Sequence, residues 1–313
     1  MPSWTASDLP DLTGRTAIVT GANAGLGFVT ASGLAAHGAE VILAVRNPAN
    51  GAAAAERIRT ALPDARVLVR VVDVAAQSSV REFAATVNGE RDRIDLLVNN
   101  AGAENLGSRR TTVDGFEFHL GTNTLGHVTL TGLLLPLLGR GREPRVVSLS
   151  SITHKNAHLD FDDLQSERDF APSRAYGMAK LATTVFGLEL DRRLRRAGSP
   201  VISVLAHPGL SRSNFIDSAW RDRGPVGRMA GRLFSAIATQ PTEQGARPQL
   251  YAAAAPGVVG GQFYGPDGRG ERRGDVTLVH PSAEAADPAV GDRFWQAARQ
   301  LTGTDFLSGG TPG

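Results

Sequence analysis

Short apolar runs recur along this chain, each followed by a stretch long enough for a helix, and this alternation limits the possible folds more than any other feature. The runs lie at 17–19, 41–45, 67–72, 96–98, 146–147 and 201–205. They are apolar nearly throughout, as strands buried on both faces are. Segments of helix length stand between and after them at 25–37, 48–62, 78–88, 122–138 and 173–196, and a final one at 285–301. Strand and helix in turn predict a doubly wound α/β fold, with a parallel sheet covered by helices on both faces. With a short candidate at Gln262-Phe263-Tyr264 added, seven parallel strands are expected. Neither a fixed-period repeat nor a Pro-, Gly- or Ser-rich linker divides the chain, so residues 1–313 are read as one domain.

Composition narrows the function. Among 313 residues, 42% are hydrophobic and 20% charged, which excludes a disordered chain. The absence of cysteine rules out disulfides, thiolate catalysis and cysteine-ligated zinc. Lys plus Arg number 33 against 31 Asp plus Glu, and a net charge of +2 gives no electrostatic case for nucleic acid. Residues 1–12 carry Asp8 and Asp11 and no basic-then-apolar pattern. The longest apolar stretch, 128–138, includes Thr129, Thr131, Gly132 and Pro136 and is too short to span a bilayer. A soluble, cytoplasmic protein without a membrane anchor is the expectation.

The first strand runs directly into Thr20-Gly21-Ala22-Asn23-Ala24-Gly25-Leu26-Gly27 and then a helix. Glycines there allow a tight turn and let a pyrophosphate approach the free N–H groups of the helix start. The spacing is G-x-x-x-G-x-G, which departs from the G-x-G-x-x-G dinucleotide pattern. Further on, Tyr176 and Lys180 are four apart and share one face of a helix. An ammonium near a phenol favours phenolate, which would bring the phenol toward working pH for proton transfer. Lys155 and Lys180 are the only lysines in a chain that otherwise uses Arg, so a compact, rotatable ammonium is expected to be required at 180. At the end of the second strand, where an NAD enzyme places an acid for the ribose 2'-hydroxyl, stands Val45 followed by Arg46. Arg46 suits a 2'-phosphate, so the expected cofactor is NADP.

The glycine spacing, together with Asn99-Asn100-Ala101-Gly102 and Tyr176-Gly177-Met178-Ala179-Lys180, resembles the short-chain dehydrogenase/reductase family over nearly the whole chain. The finer wording resembles its retinol dehydrogenase-like branch: Gly21-Ala22-Asn23-Ala24-Gly25, the second strand through Arg46, Asn123-Thr124-Leu125-Gly126-His127, and Ser150-Ser151 followed by His154. The interval of 25 from Ser151 to Tyr176 is longer than usual, which is typical of that branch. The resemblance implies a Rossmann-type domain. It implies cofactor contacts at Gly21, Asn23, Gly25, Leu26, Gly27, Asp73, Val74, Asn100, Ala101, Gly102, Tyr176, Lys180, Pro208, Gly209 and Ser213. It also implies catalysis by Ser151, which polarises a carbonyl, Tyr176, which transfers the proton, Lys180, and Asn123, which completes a water relay.

Two excursions past strand ends, 154–172 and 210–240, fall where ligands bind in such sheets. The second carries Phe215, Ile216, Trp220, Met229, Leu233, Phe234 and Ile237 and is read as a substrate lid with an apolar face, so a lipophilic ketone, aldehyde or alcohol is the expected substrate. His154 and His158 lie near Asp160, Asp162 and Asp163, but a solvated loop explains them better than a metal, and no metal site is assigned. Arg192, Arg193, Arg195 and Arg196 read as the solvated C-terminal end of a helix. Two other functions stay open: reduction of an activated C=C bond, and a non-catalytic NADP-binding redox sensor. The resemblance also leaves a homodimer or homotetramer open, through the helices at 122–138 and 173–196.

Overall fold

The computed structural model describes residues 4–211 and 239–307. Its eight strands, β1 Thr16–Thr20, β2 Glu40–Val45, β3 Val67–Val71, β4 Leu96–Asn99, β5 Arg145–Leu149, β6 Ile202–Ala206, β7 Phe263–Pro266 and β8 Val276–Leu278, lie in the order 3-2-1-4-5-6-7-8. The first seven are parallel. The eighth, absent from the expected seven, pairs antiparallel with β7, Tyr264 opposite Leu278. It is three residues long and half-exposed at the sheet edge, so it lacks the apolar run that marks the interior strands.

Neighbouring residues on each interior strand alternate between two cores. Ile18, Ile42, Leu97, Val146 and Leu205 face one layer of helices, while Val19, Leu43, Val98, Val147 and Val204 face the other. This period of two, apolar on both faces, is why the runs read as continuous in sequence. Helices α1 Gly25–Ala36, α2 Pro48–Ala61 and α3 Gln77–Glu90 follow the first three strands.

The helix expected over 122–138 begins earlier and is not uniform. A turn at Phe118–Leu120 (α4) is capped by the Glu117 carboxylate and runs into a π-helical stretch, Gly121–Leu125, before α5, Gly126–Leu138. At Gly126 a Cβ would lie 2.0 Å from the Val74 carbonyl oxygen, so only glycine lets this helix approach the loop after β3. After α6, Pro172–Arg196, and α7, Thr242–Ala254, the expected helix at 285–301 is two: α8 Ala283–Ala286 and α9 Pro288–Thr302. Pro288 holds Asp287 in an extended conformation, and the Asp287 carboxylate caps the new start.

Of the arginines at the end of α6, Arg195 and Arg196 are exposed as expected, while Arg192 and Arg193 are partly buried. Arg192 and Arg193 both pair with the buried Glu189, and Arg195 pairs with the buried Asp191. Strand order reverses between β1 and β4, which opens a crevice at their C-terminal ends. Among the described residues no helix is long and apolar enough to cross a membrane.

Candidate active site

One wall of the crevice is backbone. Gly21 and Gly25 both have φ in the left-handed region, at 66° and 55°. A Cβ at Gly27 would lie 2.5 Å from the Gly21 carbonyl oxygen and 2.4 Å from Asn100 Nδ2, whereas one at Gly25 would meet open space. Residue Ala24 supplies no side-chain cap, so the first N–H groups of α1 are left for a ligand. Thr20 stitches the crevice together: its Oγ1 accepts from the amides of Asn100 and Ala101 at 2.9 Å each, and its carbonyl accepts from Asn100 Nδ2 at 2.7 Å. Asn23 and Leu26 are half-buried beside the turn. An open cradle of free amides at a helix start fits the pyrophosphate of a dinucleotide.

Farther along the same edge, Arg46 is exposed at the end of β2. Next to it, Asn47 caps α2 by accepting from the Asn50 amide at 3.1 Å. After β3, Asp73 Oδ1 accepts from the Ala75 amide at 2.9 Å, and Val74 is buried under α5. Gly102 leads out of β4 so close to the reacting residues that a Cβ there would be 3.7 Å from Lys180 Nζ and 3.1 Å from Asn123 Oδ1.

The structure brings Ser151, Tyr176 and Lys180 together where β5 ends against α6. Ser150 is used in packing, its hydroxyl 2.7 Å from Thr184 Oγ1, while Ser151 lies toward the phenol and pulls its pKa down. Lys180 is buried, donates to the Leu149 carbonyl at 2.9 Å, and sits 5.9 Å from the centroid of the Tyr176 ring. Burial depresses its pKa to about 8, against the opposing pull of Glu104. The expectation that Tyr176 moves toward working pH is not met in this arrangement. Withdrawal from water, with the negative charge of Glu104 added, pushes the phenol well above its usual range. Tyr176 is therefore held as an acid.

Asn123 lies in the π-helical stretch, which displaces backbone groups from the regular ladder. Its side chain is engaged at both ends with one residue: Oδ1 accepts from the Ala103 amide at 2.7 Å and Nδ2 donates to the Ala103 carbonyl at 3.0 Å. Its own carbonyl faces Thr183 Oγ1 at 3.3 Å and His127 Nδ1 at 3.2 Å.

The opposite wall is held by side chains. Pro208 and Gly209 follow β6; Gly209 has φ 61°, and a Cβ there would meet the Arg272 carbonyl oxygen at 2.4 Å. The Gly209 amide donates to His207 Nδ1 at 3.2 Å, which leaves the proton of that ring on Nε2, 3.0 Å from Glu271 Oε2. The other oxygen of Glu271 accepts from Lys155. The hydrogen bond from His207, helped by Lys155, holds the Glu271 carboxyl at about 2 despite its partial burial. The Pro208 carbonyl accepts from Gln240 Nε2 at 2.8 Å.

This clasp of Lys155, Glu271 and His207 was missed in the sequence, although the scarcity of lysine that drew attention to Lys180 applied equally to Lys155. His154, expected to be solvated, is instead buried. Its Nδ1 lies 2.6 Å from the Ser151 carbonyl and its ring packs on Phe263, and burial lowers its pKa to about 4. His158 is exposed and turns to Glu284. The lid expected at 210–240, including Ser213 and the apolar residues 215–237, lies almost wholly outside the described residues.

The chain matches the model of the short chain dehydrogenase family over residues 15–223. It is 38% identical to retinol dehydrogenase 13 from Homo sapiens over 303 residues, 94% of this chain and 86% of that protein. Polyprenol dehydrogenase from Mus musculus is 38% identical over 301 residues, again 94% and 86%. Among solved structures, an uncharacterized protein from Mycobacterium Paratuberculosis superposes with a TM-score of 0.80 at 38% identity, covering 97% of this chain and 99% of that one. A Pseudomonas aeruginosa RhlG/NADP active-site complex superposes with a TM-score of 0.64 at 25% identity, covering 81% and 94%.

Proposed function

Since this chain belongs to the short-chain dehydrogenase family, and within it to the retinol dehydrogenase-like branch, we propose that it is an NADP(H)-dependent oxidoreductase interconverting a lipophilic ketone or aldehyde and its alcohol. That the chain is a carbonyl/alcohol oxidoreductase follows from the family; cofactor choice, mechanism and substrate class are our reading. The observation that carries the mechanism is the convergence of Ser151, Tyr176 and Lys180 at the mouth of the glycine cradle.

Bound dinucleotide would supply or accept the hydride at its nicotinamide. The amides at the start of α1 would hold its pyrophosphate, and Arg46, exposed on the ribose side, would pair with a 2'-phosphate. Asp73 and Val74 would flank the adenine, and Asn100, Ala101, Gly102, Pro208 and Gly209 would line the path to the nicotinamide. Ser151 Oγ donates to the substrate oxygen and orients it. Tyr176, kept protonated by its surroundings, gives its hydroxyl proton to the same oxygen as the carbonyl is reduced, and takes it back in the reverse direction. Lys180 provides the adjacent ammonium, and Asn123, whose side chain holds Ala103 in the loop after β4, would complete a proton relay through water. The alcohols named in retinol and polyprenol dehydrogenases support an apolar substrate body.

The test is a panel of ketones, aldehydes and enones assayed for NADPH consumption with identification of the product. Reduction of C=O groups is the expected result. Consumption with enones alone, giving saturated ketones, would establish the C=C reaction instead, and NADPH binding without any turnover would leave the sensor reading.

A further inference from the structure

Residues 102–105 run past the reacting groups, and two of them are pinned there. Gly102 lies against Lys180 and Asn123. Ala103 is clamped through both its amide and its carbonyl by Asn123. The Asn105 amide donates to His119 Nε2 at 2.9 Å. His119 is itself fixed: its Nδ1 carries the proton toward the buried Glu117, 2.8 Å away, and its ring meets that of Tyr176 edge-on at 5.9 Å between centroids. Glu104 stands between two anchored neighbours and cannot drift away with its loop.

The Glu104 carboxyl is half-buried. It acts electrostatically on Lys180, Tyr176 and His119, and burial raises its pKa. Yet no described residue gives it a hydrogen bond or an ion pair; the ammonium of Lys180, which acts on it through space, is held to the Leu149 carbonyl. A carboxylate partly withdrawn from water without a donor is costly, and a ligand that brings one recovers that cost. A carboxylate on a ligand would meet repulsion at the same place.

We propose that Glu104 is an acceptor subsite of the substrate pocket, selecting carbonyl compounds and alcohols that carry a hydrogen-bond donor, a hydroxyl or an ammonium, near the reacting carbon, and rejecting those that carry a carboxylate there. This rests on the oxidoreductase reading above and adds a polar requirement to an otherwise apolar substrate. A site built to bind a donor discriminates strongly against analogues that lack it.

The experiment uses ketones bearing a methyl, hydroxyl, ammonium or carboxylate group at one carbon, with that carbon placed one, two or three bonds from the carbonyl. Each is assayed with NADPH and the full chain, as wild type, Glu104→Gln and Glu104→Met. In the wild type, the hydroxyl or ammonium compound should exceed its methyl analogue at least tenfold in kcat/KM at one of the three positions, with the carboxylate compound last. Glu104→Gln should lose the ammonium preference and retain part of the hydroxyl preference. Glu104→Met should lose both. Ratios are taken within each variant, so a general change in activity or folding cancels. A uniform change across all compounds would mean that Glu104 acts only on Tyr176 and Lys180, and the subsite would be rejected. A wild type indifferent to the substituent would reject it as well. Failure of the wild type to reduce any carbonyl would instead overturn the oxidoreductase reading and take this inference with it.

Discussion

The wall of the crevice formed by β1, its glycine turn and Asn100 is made of backbone groups and of uncharged side chains, Thr20 and Asn100 reaching across neighbouring strands and Gln249 reaching Leu26 and Thr30 from α7. The facing wall, beyond Ser151, is held by Lys155, His207 and Glu271, which are separated by as many as 116 positions in the chain. The first wall is fixed by conformations that only glycine adopts easily and by the N-terminus of one helix. The second is fixed by charge and hydrogen bonding among three titratable groups. The free amides of the first wall suit an anion and the second wall offers charged and polar side chains, so substitutions can perturb the two by different means.

The largest effect belongs to the place where the walls meet. Tyr176→Phe should bind NADPH as the wild type does and lose turnover by about 100-fold to 10,000-fold, the usual worth of a placed proton donor. Lys180→Arg should fare little better, because Lys180 is buried and its compact ammonium is held to the Leu149 carbonyl, a place a wider, planar guanidinium does not reproduce. Steady-state rates with cofactor binding measured by fluorescence check both. Turnover near normal in Tyr176→Phe would show that the chemistry belongs to neither wall as drawn.

These residues also show what could be read from sequence. The strands were legible because residues such as Ile18 and Val19 are apolar toward different cores, so burial on both faces leaves an unbroken run. Gly21, Gly25 and Gly27 were legible because the turn they make is local, and so were Tyr176 and Lys180, four apart on one helix. β8 was not, since an exposed edge strand needs no apolar run. The burial of His154 was not legible either, because Phe263, which covers it, arrives from a strand more than a hundred residues away. Glu104 carried no local signal at all: its role depends on Asn123 and His119 pinning its neighbours.

A second prediction separates the walls by cofactor. Arg46→Asp should reverse preference from NADPH to NADH, since a carboxylate repels a 2'-phosphate and accepts from a 2'-hydroxyl. Hydrogen bonds to a charged group contribute about 1.5–3 kcal/mol, which sets a change of roughly tenfold to 150-fold in kcat/KM for NADPH. Preferences among carbonyl substrates should stay as in the wild type. If those preferences move with the cofactor, the two walls are coupled; if the wild type already favours NADH, Arg46 does not read the phosphate.

The smallest effect is expected at the clasp, and it carries a pH signature. Glu271→Gln keeps the shape of the side chain and removes its charge, so the tie from Lys155 and His207 to the Gly209 loop should loosen. The Glu271 side chain is 22% exposed and that of Lys155 is 31% exposed, which limits the loss of stability at neutral pH to about 1 kcal/mol. A loss of about fivefold in kcat/KM corresponds to the same energy. The sign with pH follows from the depressed carboxyl. Its folded value of about 2 lies below the usual 4.5, so the stabilisation is complete above pH 4.5 and disappears as pH falls toward 2. Thermal melts of wild type and variant should therefore differ at pH 7 and converge between pH 4.5 and 2. A gap that stays constant through the acid range would mean that Glu271 is unpaired in solution, and that the second wall is held by packing around Gly209 and Arg272 alone.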